Sequence, residues 1–178
     1  MEVEPASAFP GVDDGFERLW TPHRMAYIDS HSEPDPDPVC PFCAAPGKSD
    51  EDGLIVHRST TCFVVLNLYP YNSGHLLVCP YRHVADYTDL TRPEVLEVAE
   101  LTRQAMVTLR RTSTPAGFNI GMNQGGVAGA GVAGHLHQHV VPRWAGDSNF
   151  FPIIAQTKAL PQLLGDTREL LSRAWGQP

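Results

Sequence analysis

The chain has 178 residues, 42% of them hydrophobic, and a formal net charge of −7 at pH 7. This length allows one good hydrophobic core, and the acidic charge argues against broad nucleic-acid binding, which needs a basic surface. The sequence has no apolar run of about eighteen residues and no basic secretory leader, so we expect a soluble, cytoplasmic protein without a membrane partner.

The first forty residues carry little hydrophobic pattern and end in the proline-rich run 33–38. This composition is typical of an extended segment. We therefore predict a partly flexible N-terminal arm over residues 1–39 and a single domain over residues 40–178. Within the arm, residues 19–28 are apolar enough to dock on the domain or on a second subunit.

Three short apolar segments predict strands at residues 54–57, 62–68 and 76–80. Proline, asparagine and glycine in the intervening residues 69–74 indicate a turn, so the second and third strands should form an antiparallel hairpin. A helix should follow, because Thr91 and Glu94 have the spacing of a capping box. Apolar residues continue mostly at helical spacing until residues 112–115 end the pattern: Val95, Leu96, Ala99, Met106 and Leu109.

Residues 118–123 alternate, with Phe118, Ile120 and Met122 predicted to face the core. A glycine-rich loop over residues 125–134 comes next. The chain closes on an amphipathic helix with Pro161 near its start. Its apolar residues are Leu163, Leu164, Leu170, Leu171 and Trp175.

Residues 135–142 read His-Leu-His-Gln-His-Val-Val-Pro. On a strand, alternate side chains share a face, so His135, His137 and His139 would form a row with about 7 Å between Cα atoms. The two valines favour a strand, and the proline ends it or places it at an edge. Imidazole can act as nucleophile, acid, base or metal ligand, so this row suits acyl or phosphoryl transfer, or zinc binding. A merely polar strand face is the alternative.

The glycine-rich loop contains Gly129, Gly131 and Gly134 in the G-x-G-x-x-G spacing of dinucleotide-binding folds. That fold requires a helix directly after the glycines, whereas a strand is predicted here, so we reject it. Glycines still let backbone N–H groups approach an anion, and a flexible linker is the alternative. Because the chain is acidic, a bound phosphate ester would need local donors, a cation such as Mg²⁺, or a protonated histidine.

Cys40 and Cys43 supply two thiol groups at the C-x-x-C spacing. A structural zinc site needs two further ligands, usually His or Cys, and the candidates are His83 and His135. Thiols that merely pack remain an alternative. Redox chemistry is a third possibility, although no βαβ pattern surrounds the cysteines.

These residues together resemble the histidine triad superfamily, whose motif is His-φ-His-φ-His-φ-φ with φ apolar. Residues 135–141 follow it, with Gln138 at a position that is usually apolar. The segments 66–75, 79–83, 119–123 and 142–150 resemble, in order, the bacterial branch of diadenosine tetraphosphate hydrolases or phosphorylases. The likeness extends from about residue 19 to about residue 175.

The resemblance implies an α+β fold, with an antiparallel half-barrel sheet, helices packed on one side, and a homodimer whose sheet continues across both subunits. It also implies structural zinc, because zinc-containing relatives have ligands that match Cys40, Cys43, His83 and His135.

Roles in catalysis are implied in the same way. His137 would be the nucleophile that attacks the α-phosphorus, His139 would contact the phosphate and assist the leaving group, and His75 would support the phosphate site. The implied substrate-binding residues are Asn67, Asn119, Asn123, Gly129, Ala130, Gly131 and His139. Asn67 would meet the ribose, where many relatives carry Asp. Many eukaryotic relatives carry Gln at the place of Gly131, so here only the backbone can serve.

We therefore expect an enzyme that cleaves dinucleoside polyphosphates or similar adenylylated compounds through a nucleotidyl-histidine intermediate, with a purine nucleotide as its ligand. An imidazole nucleophile splits one difficult displacement into two easier ones. Water as the second acceptor makes a hydrolase and inorganic phosphate makes a phosphorylase. Two alternatives remain: a nucleotide-binding regulatory module with incidental turnover, and a zinc-stabilised interaction protein.

Overall fold

The structure, a computed structural model, describes residues 40–147 and 162–177. The predicted N-terminal arm and its apolar piece lie outside the described residues and stay predictions, as does the place of Pro161. None of the described helices is both long and apolar enough to cross a membrane.

Five antiparallel strands form one sheet in the order β1-β2-β3-β5-β4. The strands are β1 (Ile55–Arg58), β2 (Cys62–Leu66), β3 (Leu76–Pro80), β4 (Gly117–Gly121) and β5 (Gln138–Arg143). The predicted hairpin is the β2–β3 pair, with Phe63 opposite Cys79. The predicted α+β class with an antiparallel sheet is confirmed.

Two long helices cover one face of this sheet, as predicted. They are α2 (Arg92–Ser113) and α3 (Leu164–Ala174), and a single helical turn, α1 (Pro41–Ala44), precedes the first strand. The predicted start of α2 is confirmed, because the backbone N–H of Thr91 donates to the Glu94 carboxylate at 2.7 Å. The core on this face contains Val56, Cys62, Val64, Leu66, Leu76, Val78, Val98, Leu101, Ala105, Leu109, Val140 and Leu171.

A second, smaller core lies on the opposite face, because neighbouring strand residues point to opposite sides. It contains Ala45, Ile55, Phe63, Val65, Leu77 and Cys79. Phe42 of α1 packs against it. Because Phe42 also contacts His137, α1 packs on the face that carries the histidines.

The predicted histidine strand begins later than expected. β5 starts at Gln138 rather than His135 and runs through Pro142 to Arg143. Its pairing with β3 stops at Val78 opposite Gln138. Pro80, two residues further along β3, is the next position whose N–H would face β5, and proline has no N–H to donate. Instead, the N–H of Leu136 donates to the carbonyl of Val84, which follows β3.

Several predicted core positions are exposed. Ile120 is 54% exposed because β4 is an edge strand, and α2 lies over β2, β3 and β5 instead. Leu96 is 61% exposed, whereas Val98 and Leu101 of the same helix are buried. Leu163 precedes α3 and is 74% exposed.

Candidate active site and metal centre

The hairpin and β5 bring three histidines to one face of the sheet. His75 comes directly before β3 and is fully buried. His139 pairs with Leu77 of β3, so both side chains point away from the long helices. The turn before His75 needs glycine, because Gly74 has φ +76° and an added Cβ would lie 2.9 Å from Leu109. We call His75, His137 and His139 the reaction cluster.

Next to it lies a second group, the metal cluster of Cys40, Cys43, His83 and His135. One potential ligand atom from each residue lies within 4.8 Å of all the others. The Sγ atoms of Cys40 and Cys43 are each 3.4 Å from Nδ1 of His135, and Nδ1 of His83 is 3.2 Å from Sγ of Cys43. A tetrahedral zinc site has ligand atoms about 3.3–3.8 Å apart, so this donor set fits zinc.

The ring of His135 is oriented for metal binding by its other nitrogen. Nε2 lies 2.9 Å from the carbonyl oxygen of Pro80, which can only accept, so Nε2 carries the proton. The lone pair is then on Nδ1, which faces the thiols. Burial lowers the pKa of His135, and partial loss of hydration, followed by the Cys40 hydrogen bond, raises the pKa of Cys43.

In His137 the hydrogen-bonded ring nitrogen is Nδ1, whereas in His135 it is Nε2. Its Nδ1 lies 2.8 Å from the carbonyl oxygen of His135, so Nδ1 donates and the lone pair is on Nε2. The side chain is buried, with 6% exposure. Burial lowers the pKa of His137, which favours the neutral ring that a nucleophile requires.

A directed chain of hydrogen bonds fixes the proton on His139. The backbone N–H of Tyr71 donates to Nδ1 of His75 at 3.0 Å, so the proton of that ring is on Nε2. Nε2 of His75 lies 2.9 Å from Nδ1 of His139 and donates to it. His139 therefore carries its proton on Nε2, a buried atom with no hydrogen-bond partner within residues 40–147 and 162–177. Burial, followed by the nearby His137, lowers the pKa of His139 to about 4, so the ring is neutral near pH 7.

Aromatic rings enclose both ends of this arrangement. Phe42 lies 4.9 Å from His137 between ring centroids, and His137 lies 4.9 Å from His139. On the far side, Tyr71 stacks on His139 at 5.8 Å and contacts His75 at 4.9 Å. The face can therefore present a nucleophilic nitrogen and a neighbouring N–H donor between two aromatic walls.

Comparison with known proteins decides the family. The model of the HIT domain, in which the histidine triad lies, matches residues 48–146, more than half of the chain. The chain belongs to the histidine triad family. It is 48% identical over 172 residues to a Mycobacterium tuberculosis protein named AP-4-A phosphorylase, covering 94% of this chain and 88% of that one. It is also 31% identical over 93 residues to the Schizosaccharomyces pombe asymmetrical bis(5'-nucleosyl)-tetraphosphatase, covering 52% of this chain and 50% of that one.

A solved structure supports the same assignment. A zinc-bound histidine triad protein from Mycobacterium smegmatis superposes with a TM-score of 0.62 at 28% identity, covering 76% of this chain and 91% of that one. Cys40 and Cys43 precede the residues matched by the family model.

Of the other predicted substrate-binding residues, Asn67 lies beside the reaction cluster and Asn119 lies on the surface. Nδ2 of Asn67 is 3.2 Å from Nδ1 of His75, and its Oδ1 accepts from the N–H of Tyr69. Asn119 is exposed, and its Oδ1 accepts from Arg143 at 2.7 Å. Gln138 donates to the carbonyl of His139 at 3.0 Å, which satisfies the polar group at the usually apolar triad position.

The remaining predicted ligands lie in the segment between β4 and β5. Asn123 is half-buried, and Gly129 has φ +81° at the end of the 3-10 turn Gly126–Ala128. Ala130 and Gly131 follow it. Their contact with phosphate stays a prediction.

Sequence reasoning assigned no role to several residues that build this site. Phe42 lies in the four-residue helix α1 and Tyr71 in the turn between β2 and β3, and both segments are too short for periodicity to mark a contact residue. Arg143 binds both carboxylate oxygens of Asp147 at 2.6 and 2.9 Å, and Asn72 donates to the same carboxylate. Their closeness to the motifs in the sequence could have indicated them. Phe42 lies inside C-x-x-C, and Arg143 follows Pro142 of the triad strand.

Proposed function

We propose that this protein cleaves dinucleoside polyphosphates, such as diadenosine tetraphosphate, by transferring a nucleotidyl group to Nε2 of His137. The observation that carries the proposal is the hydrogen bond from Nδ1 of His137 to the carbonyl of His135 at 2.8 Å. It leaves a lone pair on the nitrogen that faces away from the backbone. The 48% identical relative named AP-4-A phosphorylase supports this substrate class.

The proposed reaction has two displacements. Nε2 of His137 attacks the α-phosphorus, the bond from phosphorus to the bridging oxygen breaks, and ATP leaves from diadenosine tetraphosphate. The Nε2–H of His139 donates a hydrogen bond to phosphate oxygens as charge develops on them. An acceptor then attacks the nucleotidyl-histidine, and His137 is regenerated.

Inorganic phosphate is the acceptor that we propose. Its attack would release ADP, whereas water would release AMP. The support is the name and long alignment of the Mycobacterium tuberculosis relative. The fission yeast tetraphosphatase matches only about half of this chain.

Zinc at the metal cluster is part of the proposal. Cys40, Cys43, His83 and His135 would hold it, and its contribution would be structural, joining the α1 segment to the sheet. The zinc-bound neighbour and the donor geometry support this assignment. The Mg²⁺ that was considered as a companion of the substrate has no such support.

A homodimer through β4 is proposed as well. β4 pairs with β5 on one side, and Ile120 is 54% exposed on it. Within residues 40–147 and 162–177, β4 has no second strand partner, and an edge strand with an exposed isoleucine is a ready surface for a second copy. Sedimentation should give a dimer for the wild type and a smaller species for Ile120→Asp; unchanged mass in the variant would contradict this interface.

Product analysis tests the proposed reaction. Diadenosine tetraphosphate is incubated with the protein, with and without inorganic phosphate and Mg²⁺, and nucleotides are separated. We expect ADP and ATP in equal amounts and only when phosphate is present. His137→Ala should yield neither, whereas His57→Ala, which removes a histidine stacked on Trp175, should retain both products.

Other product patterns would change the conclusion. AMP with ATP in either condition would mean water is the acceptor. No product from the wild type, with tight AMP binding, would favour the nucleotide-binding module, and no nucleotide binding at all would favour an interaction protein.

A further inference from the structure

Phe42 connects the two clusters. It lies between the two cysteines of the C-x-x-C segment, and its ring contacts both His135 and His137, with centroid distances of 5.5 and 4.9 Å. One aromatic side chain therefore touches a residue of the metal cluster and the proposed nucleophile. The ring is half-buried against the smaller core.

The position of Phe42 depends on what anchors α1. This helix has four residues, and so short a helix has too few internal hydrogen bonds to hold itself. On its C-terminal side, Arg58 donates to the carbonyls of Pro46 and Lys48. The other anchors are the side chains of Cys40, which directly precedes the helix, and Cys43 within it, and both lie against His135. A metal ion bound there would fix the residue between the two cysteines.

We infer that Phe42 is a positioning residue that holds the imidazole of His137 for attack and makes that orientation depend on occupancy of the metal cluster. The inference rests on the proposed role of His137. Two contacts join the metal cluster to that ring: the His135 carbonyl holds Nδ1, and Phe42 packs against the ring itself. The first fixes the tautomer, and the second fixes the direction of Nε2.

Such a role makes a specific kinetic prediction. A misoriented nucleophile raises the free energy of the transition state but changes substrate binding little. We therefore expect kcat to fall with little change in KM. In Phe42→Ala with zinc bound, we expect kcat for diadenosine tetraphosphate to fall at least about tenfold and KM to stay within about threefold. Phe42→Tyr keeps the ring and should restore most of kcat. Pro41→Ala changes an exposed neighbour in the same turn and should behave as the wild type.

A binding experiment gives a readout independent of turnover. Adenosine with orthovanadate serves as the probe, because vanadium can adopt the five-coordinate geometry of phosphorus under attack. By linkage, if zinc favours the productive ring orientation, this probe must tighten zinc binding by the same factor. Chelator competition should show zinc affinity rising about tenfold with the probe in the wild type and Phe42→Tyr. The rise should be lost in Phe42→Ala.

The outcomes separate this inference from the function on which it rests. Wild-type turnover with an unchanged kcat in zinc-loaded Phe42→Ala would overturn the inference alone. Loss of zinc, kcat and melting temperature together in Phe42→Ala, without the linkage in the wild type, would also overturn it, since the side chain would then be only structural. A wild type that neither cleaves diadenosine tetraphosphate nor binds the probe would overturn both.

Discussion

His135 and His137 are two residues apart, yet opposite ring nitrogens carry their lone pairs. In the metal cluster, Nε2 of His135 donates to the Pro80 carbonyl and Nδ1 faces the thiols. In the reaction cluster, Nδ1 of His137 donates to the His135 carbonyl and leaves Nε2 for chemistry. A backbone carbonyl, rather than the residue type, therefore decides which ring nitrogen of each histidine is left free to bind a ligand.

The two clusters also differ in their surroundings. The metal cluster includes the exposed side chains of Cys43 and His83, whereas His75 and His137 are 0% and 6% exposed. These two exposed ligands give solvent a path to a bound ion, although His135 of the same cluster is 0% exposed. A buried cluster excludes water from a reactive phosphorus and strengthens each hydrogen bond within it.

Removing His137 should affect activity more than any other change and leave the metal cluster intact. His137→Ala should reduce kcat by at least about 10³-fold, because the proposed nucleophile is removed, while zinc content stays at the wild-type value. Steady-state kinetics and metal analysis on one preparation measure both. Residual turnover within tenfold of the wild type would mean that His137 is not the nucleophile.

Cys40→Ser should instead lower the zinc content and the thermal stability of the protein. The variant should lose most of its zinc, and its melting temperature should fall by about 5–10 °C, since 1 kcal/mol shifts a domain of this size by roughly 2–4 °C. Metal analysis and thermal unfolding give the values. Cys62→Ser is the control in a buried cysteine outside the cluster, and it should retain zinc. Full zinc content in Cys40→Ser would refute the ligand assignment.

A smaller effect tests the proton chain to His139. His75→Ala removes the donor to Nδ1 of His139, so kcat should fall about 10–100-fold while zinc is retained. His75→Gln, whose amide N–H can replace that donor, should recover part of the loss. Equal kcat in the two variants would show that His75 acts only by filling space.

The smallest effect is a pH dependence of stability. Burial and then His137 lower the pKa of His139 to about 4, against about 6.5 for an unfolded chain. As the pH falls, the unfolded chain binds the proton first, so the free energy of unfolding decreases from about pH 6.5 to about pH 4 and then levels off.

Urea unfolding of the wild type and His139→Gln across this range measures that decrease. The wild type should lose more stability than the variant, which lacks the titrating ring. Both proteins keep the metal cluster, so protonation of its ligands cancels in the difference. Parallel pH profiles for the two proteins would contradict the lowered pKa.

Much of the fold could be predicted because its elements have local signals. Thr91 and Glu94 marked the start of α2, and the turn residues between β2 and β3 marked the hairpin. The start of β5 could not be predicted from its own residues. It depends on Pro80 in another strand, which ends the ladder and offers its carbonyl to His135.

The candidate site could be predicted where the spacing of residues along the chain indicates metal ligands or a shared strand face. The C-x-x-C pair and the alternate histidines led to the four residues that the structure brings together. Phe42 and Tyr71 could not be assigned, because an aromatic residue in a turn has no pattern that indicates its partner. The exposure of Ile120 was missed for a related reason, since alternation predicts a face but not what covers it.

The most direct test of His137 as the nucleophile is mass spectrometry of the protein quenched during turnover of diadenosine tetraphosphate, with peptide mapping under mildly alkaline conditions. We expect an adenylyl group on the peptide that carries His137, located on that side chain and absent from His137→Ala. An adduct on His135 or His139, or turnover without any adduct on the protein, would contradict it.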